Sequence, residues 1–531
     1  MSPHPTILIT GATDGIGLAL AQLYQAQGAQ IIFHGRRPLT ELDAALFNHA
    51  NYCQVDLTQS DCADQILLWL RERNIITLDL LIHNAGMGYV GPVADQTPEN
   101  IQQMVAVNLQ APIALTHALL PSVEAAQGKI VFISSVAAAL PGPNYAVYTT
   151  TKAALDGFVR NLQIELAAQK RLITAQLIHP GATRTAMHAK SGADLDQLQW
   201  AKFPAAEKVA SEIVQAIRTN RRAVAIGFTN QLAYWAGRNL AGLVDWAINR
   251  FISLPRPSQP HNPRFTEKIA LDEAARSPHC LITGAADGIG RALALAFAAA
   301  GYMITGIDID PERAMRTQAE LQNAGAAARF AIADLTKASD IEKVVITLAE
   351  RPPIDVLIHN AGINAVGPYA TTDINRQQLV LRLNLTAPLL LTAALLRQNR
   401  LAEGGSLVFI SSLSHFVSYP GAAVYAASKD GLAAYARSLA MTLVPQNLHV
   451  LTVYPGPTRT AHARRYSPDN RREHRRMPPE KLAQQILSAV QRRQRLLIPG
   501  LGNRLMALLG RLCPGVMEQV MRRTIFDKLG P

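Results

Sequence analysis

The chain has 531 residues, of which 49% are hydrophobic and 17% are charged, and its formal net charge is +12. This length is too great for one ordinary hydrophobic core, and the composition excludes a largely disordered chain. We therefore expect two well-buried globular domains.

The N-terminal residues, the apolar runs and the cysteines indicate the cellular compartment of the protein. The chain begins Met1-Ser2-Pro3-His4-Pro5, without the basic stretch of a signal peptide. The longest apolar run, around Leu383–Leu396, is shorter than the roughly 18–20 residues that a membrane span needs. The four cysteines have neither metal-site spacing nor the pattern of a disulfide framework: Cys53, Cys62, Cys280 and Cys513. These features predict a reducing, cytoplasmic compartment and no bound metal.

Much of the positive charge lies near the C-terminus, in arginines at positions 464, 465, 471, 472, 475, 476, 492, 493, 495, 522 and 523. Such runs are most often solvated faces or mobile loops. Attraction to an anionic membrane or an acidic ligand is the second interpretation. Nucleic-acid binding ranks third, because no aromatic residues alternate with the arginines, and we predict no nucleic-acid partner.

Short apolar strands alternate with amphipathic helices along the whole chain. This order predicts an α/β fold of two tandem Rossmann-type domains, each a doubly wound parallel sheet with a C-terminal helical extension. The first-half strands are predicted at Thr6–Thr10, Ile31–His34, Tyr52–Val55, Leu78–His83, Lys129–Ser134 and Ala175–His179. The second-half strands are predicted at His279–Thr283, Met303–Ile307, Arg329–Ala333, Val356–His359, Ser406–Ser411 and His449–Tyr454. Leu254–Pro278, rich in proline at its start, reads as a linker between domains at 1–253 and 279–531.

One glycine pattern occurs twice. Ile9–Gly17 reads I-T-G-A-T-D-G-I-G and Ile282–Gly290 reads I-T-G-A-A-D-G-I-G, each between a strand and a helix. The first glycine allows the tight turn, the second lets a pyrophosphate approach the backbone, and the third lets helix and strand pack closely. A single copy of the pattern is weak, but two copies predict two dinucleotide sites.

Each half also places a tyrosine four residues before a lysine on a helix: Tyr148 and Lys152, then Tyr425 and Lys429. The two side chains share one helix face, so the ammonium favours the phenolate. Lowering a tyrosine pKa from 10 to about 7 requires roughly 4 kcal/mol. Ser135 and Ser412, each thirteen residues earlier at a strand end, can hydrogen-bond a substrate oxygen beside the phenol.

These motifs, together with D-L-T, N-A-G and P-G in both halves, resemble the short-chain dehydrogenases/reductases. The resemblance implies a tyrosine acid/base, a serine that orients the reacting oxygen, a lysine that lowers the tyrosine pKa and an asparagine in a water-linked proton relay. The implied catalytic residues are Asn108, Ser135, Tyr148, Lys152, Asn384, Ser412, Tyr425 and Lys429. The implied cofactor residues of the first half are Gly11, Thr13, Asp14, Gly15, Ile16, Gly17, Arg36, Arg37, Asp56, Leu57, Asn84, Ala85, Gly86, Pro180, Gly181 and Thr183. Those of the second half are Gly284, Ala286, Asp287, Gly288, Ile289, Gly290, Asp308, Asp334, Leu335, Asn360, Ala361, Gly362, Pro455, Gly456 and Thr458.

The halves differ at the end of the second strand. The second half has Asp308 where the first has Gly35, followed by Arg36 and Arg37. A carboxylate there accepts hydrogen bonds from the adenosine ribose and repels a 2′-phosphate, whereas arginines attract it. This contrast predicts NADP(H) in the first half and NAD(H) in the second, unless the arginines merely follow the strand into solvent.

The predicted function is a bifunctional oxidoreductase that interconverts a secondary alcohol and a ketone. Oxidation at one site and reduction at the other would invert a hydroxyl centre, and two independent reductases or one active and one regulatory half are equally compatible. A nucleotide-sensing module is the alternative from another class, although a pure sensor needs no serine and tyrosine pair.

Both halves end in apolar helical patterns, Gly227–Phe251 and Gly500–Arg523. These helices are predicted to pack on their own domains, to cap an apolar substrate cleft or to rest peripherally on a membrane with arginines at the headgroups. Similar extensions in the family accompany lipid-like or steroid-like substrates. The helices at Asn108 and Tyr148 commonly form a two-fold interface in the family, which implies an intramolecular pseudo-dimer or a homo-oligomer.

Overall fold

The computed structural model describes residues 4–196, 199–251, 277–467 and 469–529. Most of the predicted linker, residues 254–276, lies outside these ranges, and so does the predicted domain boundary after residue 253. Residues 1–3, part of the N-terminal segment in which no signal peptide is predicted, also lie outside them. The first strand of the second half begins at His279.

The first half is a seven-stranded parallel sheet with strand order β3-β2-β1-β4-β5-β6-β7. Its strands are β1 Thr6–Ile9, β2 Gln30–Gly35, β3 Tyr52–Gln54, β4 Leu80–His83, β5 Lys129–Ile133, β6 Thr174–His179 and β7 Ala223–Ala225. Its helices are α1 Gly15–Gln25, α2 Cys62–Glu72, α3 Pro98–Val105, α4 Ala111–Ala125, α5 Ala146–Ala168, α6 Ala186–Lys190, α7 Ala206–Ile217, α8 Phe228–Asn239 and α9 Ala241–Phe251.

The second half repeats this sheet with the order β10-β9-β8-β11-β12-β13-β14. Its strands are β8 His279–Thr283, β9 Met303–Asp308, β10 Ala328–Ile332, β11 Ile354–His359, β12 Leu401–Ile410, β13 His449–Val453 and β14 Leu496–Leu497. Its helices are α10 Gly288–Ala299, α11 Pro311–Asn323, α12 Ala338–Leu348, α13 Ile374–Leu381, α14 Ala387–Arg397, α15 Ser414–Val417, α16 Ala423–Thr442, α17 Ala461–Tyr466, α18 Pro479–Gln491, α19 Leu501–Leu512 and α20 Pro514–Thr524.

The fold class and the twelve predicted strands are confirmed, with ends shifted by a few residues. The expectation of six strands per half is wrong by one, because β7 and β14 are only three and two residues long and leave no alternating pattern. Each C-terminal extension is two helices, broken at Leu240 and at Cys513.

Two helical stretches, Pro98–Ala125 and Ile374–Arg397, are long and apolar enough to cross a membrane by length and composition. In the most apolar 18 residues of each stretch, 67% and 72% of the residues respectively are buried inside the protein. Each stretch includes a five-residue π-helical turn, Ala106–Gln110 or Arg382–Thr386, that carries a predicted catalytic asparagine.

The two halves pack against each other through α5 and α16, the helices that carry the predicted catalytic tyrosines. The approach is close because glycines face the contact: a Cβ on Gly157 would meet the Asp430 carboxylate at 2.4 Å, and one on Gly431 would meet Ala154 at 3.0 Å. Arg160 donates to the buried Asp430 carboxylate across the interface at 2.5 Å. Buried apolar residues of both halves belong to one continuous core, in which the rings of Phe158 and Tyr369 lie 5.0 Å apart.

Glu165 on α5 is buried in this interface. Its two carboxylate oxygens accept hydrogen bonds from the backbone N–H groups of Tyr369 and Gly421 in the other half, both at 2.7 Å. Burial raises the pKa of Glu165 to about 7, against the opposing effect of these two hydrogen bonds. The contact is therefore sensitive to pH near neutrality.

A raised carboxyl pKa means that the folded protein holds the proton more tightly, so this stabilisation is full at low pH and is lost as pH rises through about 7. Glu165→Gln cannot ionise and lacks this dependence. We expect the difference in unfolding free energy, wild type minus variant, to fall by roughly 2–3 kcal/mol between pH 5 and pH 8. Urea denaturation at both pH values measures it. The variant is expected to be less stable at every pH, because its amide N–H₂ faces a backbone donor, but this constant loss cancels when the two pH values are compared. A stability difference that does not change with pH would contradict the assignment.

Candidate active sites

Each predicted dinucleotide site lies where the first strand of a half ends. Gly11, Gly15, Gly284 and Gly288 have positive φ angles between 53° and 65°, a conformation that glycine adopts without strain. Asp14 and Asp287 then lead into α1 and α10, and Asp14 makes no capping hydrogen bond to α1. A Cβ on Gly17 would lie 2.3 Å from the Gly11 carbonyl oxygen, so this glycine is required for helix and strand to meet. The turn and the adjacent helix N-terminus fit a pyrophosphate.

The N-A-G segments hold these glycine turns in place. The Asn84 amide N–H₂ donates to the carbonyl oxygens of Thr10 and Gly11 at 3.0 and 3.1 Å. Asn360 makes the same two bonds, to Thr283 and Gly284, both at 3.0 Å. The backbone N–H groups of Ala85 and Ala361 donate to the hydroxyls of Thr10 and Thr283. These residues therefore shape the turn from the neighbouring strand.

The predicted catalytic residues come together in both halves. Ser135 hydrogen-bonds Tyr148, and the Lys152 Nζ lies 5.8 Å from the centre of the Tyr148 ring and donates to the Ile133 carbonyl at 3.0 Å. In the second half, Ser412 hydrogen-bonds Tyr425, and the Lys429 Nζ lies 5.8 Å from the Tyr425 ring and donates to Ile410 at 2.9 Å. The Ser135 and Ser412 oxygens also accept from the backbone N–H groups of Ala137 and Ser414, so their hydrogens are free to point to the phenols.

The two asparagines lie beside these groups on their π-helical turns. The Asn108 side chain both accepts from and donates to the Met87 backbone at 2.8 Å and also donates to the Thr151 hydroxyl. Asn384 makes the matching contacts with Ile363 and Ser428. A Cβ on Gly86 would lie 3.5 Å from the Asn108 oxygen and 3.6 Å from the Lys152 Nζ, and Gly362 is placed alike. The asparagines thus fix the backbone that borders the lysines.

Burial works against the charged forms of these groups. It raises the pKa of Tyr148 and raises that of Tyr425 to about 12, while the serine hydrogen bonds lower both. It also lowers the pKa of Lys152 and of Lys429 to about 8. The lowering of the tyrosine pKa by the neighbouring lysine stays a prediction.

The ends of the second strands differ as the sequence indicates. In the first half, Arg37 donates to the Thr13 carbonyl at 2.6 Å across the glycine turn, and Arg36 is exposed beside it. A Cβ on Gly35 would meet Thr13 at 2.7 Å and the Tyr52 hydroxyl at 2.9 Å, so these side chains occupy the place of a carboxylate.

In the second half, the Asp308 carboxylate accepts from the backbone N–H groups of Ala286 and Asp310 at 2.9 and 3.1 Å. Arg313 lies nearby, ion-paired with Asp287 and Asp310. A carboxylate therefore lies at the glycine turn of the second half, and an arginine lies there in the first.

The remaining predicted residues line the same edges. Asp56 and Asp334 accept from the backbone N–H groups of Thr58 and Thr336, which fixes each D-L-T turn, and Leu57 and Leu335 are buried beside them. The Thr183 and Thr458 hydroxyls donate to Gly181 and Gly456. Gly288 approaches the Thr460 side chain. Ile16 and Ile289 each pack on the core of their own half, and Ile289 also lines the cavity of the second half.

Sequence reasoning missed several residues around the sites. Asn230 and Asn503, on the C-terminal helices, press on the P-G motifs so closely that a Cβ on Gly181 or Gly456 would meet them at 2.4 Å. Asp156, one turn after Lys152, accepts from Ser134, Tyr234 and the His179 ring, and its charge favours the Lys152 ammonium. The second half has Ala433 there. The only sequence signal for Asp156 is its position four residues after Lys152, which places both side chains on one helix face.

The second half contains a cavity of about 1680 Å³ that runs from the glycine turn past Tyr425 to helices α17, α19 and α20. Its lining includes Asp308, Asn360, Ser412, Tyr425 and Lys429, so the predicted dinucleotide and catalytic groups share one space.

The family model of the short chain dehydrogenases matches residues 5–196 and 278–471. The chain belongs to the short-chain dehydrogenase/reductase family. It is an oxidoreductase of the kind that acts on CH–OH groups with NAD or NADP, and it carries the family's domain twice.

Several characterised and uncharacterised family members are similar to this chain. The uncharacterized oxidoreductase YciK of Escherichia coli is 33% identical over 196 residues, 35% of this chain and 76% of that protein. Serine 3-dehydrogenase of Rhizobium radiobacter is 35% identical over 183 residues, 34% of this chain and 72% of that protein. A short-chain dehydrogenase from Sphingobium yanoikuyae, solved in complex with NADPH, is 30% identical, with a TM-score of 0.40, and covers 46% of this chain and 94% of its own.

Proposed function

We propose that each half of this short-chain dehydrogenase/reductase interconverts a secondary alcohol and a ketone, and that Tyr148 and Tyr425 are the acid/base groups. The observation that carries the proposal is the repeated meeting of serine, tyrosine, lysine and asparagine with closely matching contacts in both halves. A nucleotide sensor has no need of this arrangement. The packing of α5 on α16 further supports an intramolecular pair as the working unit.

The residues divide the chemistry as follows. The bound nicotinamide accepts or supplies the hydride. The tyrosine Oη takes the proton of the alcohol or returns it to the ketone oxygen, and the serine hydroxyl holds that oxygen beside the phenol. The lysine ammonium stabilises the phenolate, and the asparagine fixes the adjacent backbone along the path by which the proton leaves. For the first half we propose a bulky apolar substrate, because the Tyr145 ring lies beside the Tyr148 ring, with 6.4 Å between their centres.

Removing the phenol hydroxyls tests this assignment. General acid–base groups typically contribute 10²–10⁴-fold to rate. We expect Tyr148→Phe to abolish turnover by the first half only, Tyr425→Phe by the second only, and the double variant to lose at least about 100-fold with either cofactor. Cofactor oxidation and reduction with a panel of ketones and secondary alcohols measures it. Nucleotide binding should persist in all three proteins, and undiminished turnover by the double variant would favour the sensor.

We propose that the first half uses NADP(H) and the second NAD(H), on the contrast between Arg36 with Arg37 and Asp308. A charge-assisted contact of about 1.5–3 kcal/mol corresponds to roughly ten- to hundredfold discrimination. In the full chain, Arg36→Ala with Arg37→Ala should weaken NADPH binding by that factor and leave NADH binding intact, and Asp308→Ala should weaken NADH binding. Titration of each protein with both nucleotides tests this. A first half that keeps its affinity for NADPH without these arginines would refute the assignment.

We propose that the outer faces of the C-terminal helices rest on an anionic lipid surface. The inner faces pack on the protein at Gly237 and Gly510. The outer faces expose large apolar side chains, with Phe228 81% and Leu501 82% accessible. Arginines flank them at positions 238, 504, 511, 522 and 523. Apolar insertion combined with basic flanks favours anionic over neutral membranes.

Flotation with vesicles tests this contact. The chain should float with vesicles of phosphatidylcholine and phosphatidylserine at 7:3 and much less with phosphatidylcholine alone. Leu505→Asp with Leu508→Asp should abolish flotation, because both side chains are more than half exposed on the outer face. Ile346→Asp, equally exposed on α12 far from these helices in sequence, is the control and should have no effect. Equal flotation by all proteins would contradict this membrane face.

A further inference from the structure

The segment that borders the second-half cavity, His462–Met477, is strongly basic, and we call it the 462–477 loop. It contains six arginines and two carboxylates, Asp469 and Glu473. The corresponding first-half segment, Met187–Phe203, contains two lysines and two aspartates. The second-half segment thus has a formal excess of four positive charges, His being counted as neutral, whereas the charges of the first-half segment cancel.

Two of the six arginines already have acidic partners. Arg464 pairs with Glu473 at 3.0 Å, and Arg471 makes a two-point contact with Asp469 at 3.1 and 2.9 Å. Lys528 also lies 3.5 Å from Asp469. Both carboxylates of the loop are therefore occupied. The other four arginines line the cavity: Arg465, Arg472, Arg475 and Arg476.

Among the residues that the structure describes, one nitrogen of the Arg476 guanidinium has no hydrogen-bond acceptor. Its Nη2 donates to the Ser467 hydroxyl, the Asp469 carbonyl and the Asn470 side chain at 2.8, 3.0 and 2.6 Å, all neutral acceptors. Its Nη1 is buried without a hydrogen-bond partner among the described residues. A buried donor in this state is costly, and a ligand acceptor would remove the cost.

Arg476 lines the cavity that also contains the predicted catalytic groups of the second half. Burial raises the pKa of Tyr419 and the Arg476 charge opposes this shift, while the Tyr419 ring lies 6.0 Å from that of Tyr425. Arg465 is placed similarly. Burial lowers the pKa of His462 to about 4, and the charges of Lys429 and Arg465 both lower it further, so one histidine senses both cations. Arg465 and Arg476 therefore line the same cavity as Tyr425 and Lys429.

The same end of the cavity has apolar walls. Leu379 and Leu383 line one side, and Leu413, Val417 and Ile525 line another. The cavity carboxylates other than Asp469 belong to the dinucleotide end: Asp287, Asp308, Asp310 and Asp334. A ligand that satisfies this end combines an apolar body with a negative group.

We propose that the second half binds a substrate whose apolar body carries a carboxylate or a phosphate ester, held by Arg465 and Arg476 next to Tyr425. The proposal rests on the function proposed above, since it places the anion beside that tyrosine. Guanidinium groups suit both anions, because their planar fork presents two donors to two oxygens.

The first half lacks this pair of cations. The Arg459 N–H donates to the Met477 carbonyl, as the Arg184 N–H donates to that of Pro204, so Arg476 takes the place of Phe203. The Phe203 ring lies 5.6 Å from His188. Lys190, at the place of Arg465 in the sequence, pairs with Asp14 at 3.3 Å. The structure therefore assigns anion binding to one site alone.

Calorimetric titration of the full chain, saturated with NAD, tests the proposal with three probes: octanoate, octyl phosphate and octanol. We expect whichever anion matches the site to bind at least tenfold more tightly than octanol. Arg476→Gln and Arg465→Gln should each weaken that anion roughly tenfold or more and leave octanol binding unchanged. Arg476→Phe, which recreates the first-half residue, should do the same. The preference between octanoate and octyl phosphate identifies the anion.

Arg471→Gln is the matched control, since this exposed arginine of the same loop already has a carboxylate partner, and it should bind the anion like the wild type. Equal binding of octanol and both anions, or no anion binding at millimolar concentration, overturns the proposal. So does a loss of NAD affinity in the Arg465 or Arg476 variants, which would assign these arginines to the dinucleotide phosphates. The tyrosine variants separate the two proposals, because turnover that depends on Tyr425 can persist while anion selectivity fails.

Discussion

The close packing of α5 against α16 is the constraint on which the rest of the structure depends. Each helix supplies the tyrosine and lysine of one site from one face and the contact between the halves from another. The separation of the helices is set by Gly157 and Gly431, where no side chain fits. Because Lys152 lies five residues from Gly157, and Lys429 two from Gly431, a shift of the interface moves the catalytic groups as well. A change in the packing of this interface therefore affects both the stability of the fold and the geometry of the sites.

Fusion of the two domains has released this interface from symmetry. In a two-fold dimer of identical chains, every residue must suit both of its symmetric places. Here Asp430 binds Arg160 and fills the space over Gly157, whereas the corresponding first-half residue is Ala153. Glu165 accepts two backbone hydrogen bonds across the interface, and its counterpart is Thr442. Asn161 and Ser438 hold matching positions and both accept from the opposite half, with different chemistry. A duplicated chain can place a buried acid once, where a homodimer would have to bury two.

Features of this protein can be predicted from the sequence when the residues that form them lie close together along the chain. The glycine turns, the apolar strands and the tyrosine–lysine spacing involve residues close together in sequence, so the fold and the candidate site residues can be predicted from them. Strands β7 and β14 are too short for any pattern, and the longer β12 begins at Leu401, where Gly404 and Gly405 obscure its alternation. The partners of Arg160 and Glu165 lie some 200 to 270 residues away, and nothing near either residue indicates them. The obstruction of a carboxylate at position 35 by Thr13 and Tyr52 is likewise a fact of three dimensions.

The charge difference between the 462–477 loop and the corresponding first-half segment, Met187–Phe203, bears on whether the two sites act in sequence. Inversion of a hydroxyl centre requires one molecule to bind productively at both tyrosines. A substrate held through an anion by Arg476 would meet Phe203 at the corresponding place in the first half, with Asp194 and Asp196 in the same loop and Lys190 already paired. It would lose its charged contact, a penalty of the order that separates good substrates from poor ones. If the second half binds an anion as proposed, this difference favours two reactions on different substrates, joined by a common interface rather than by a common intermediate.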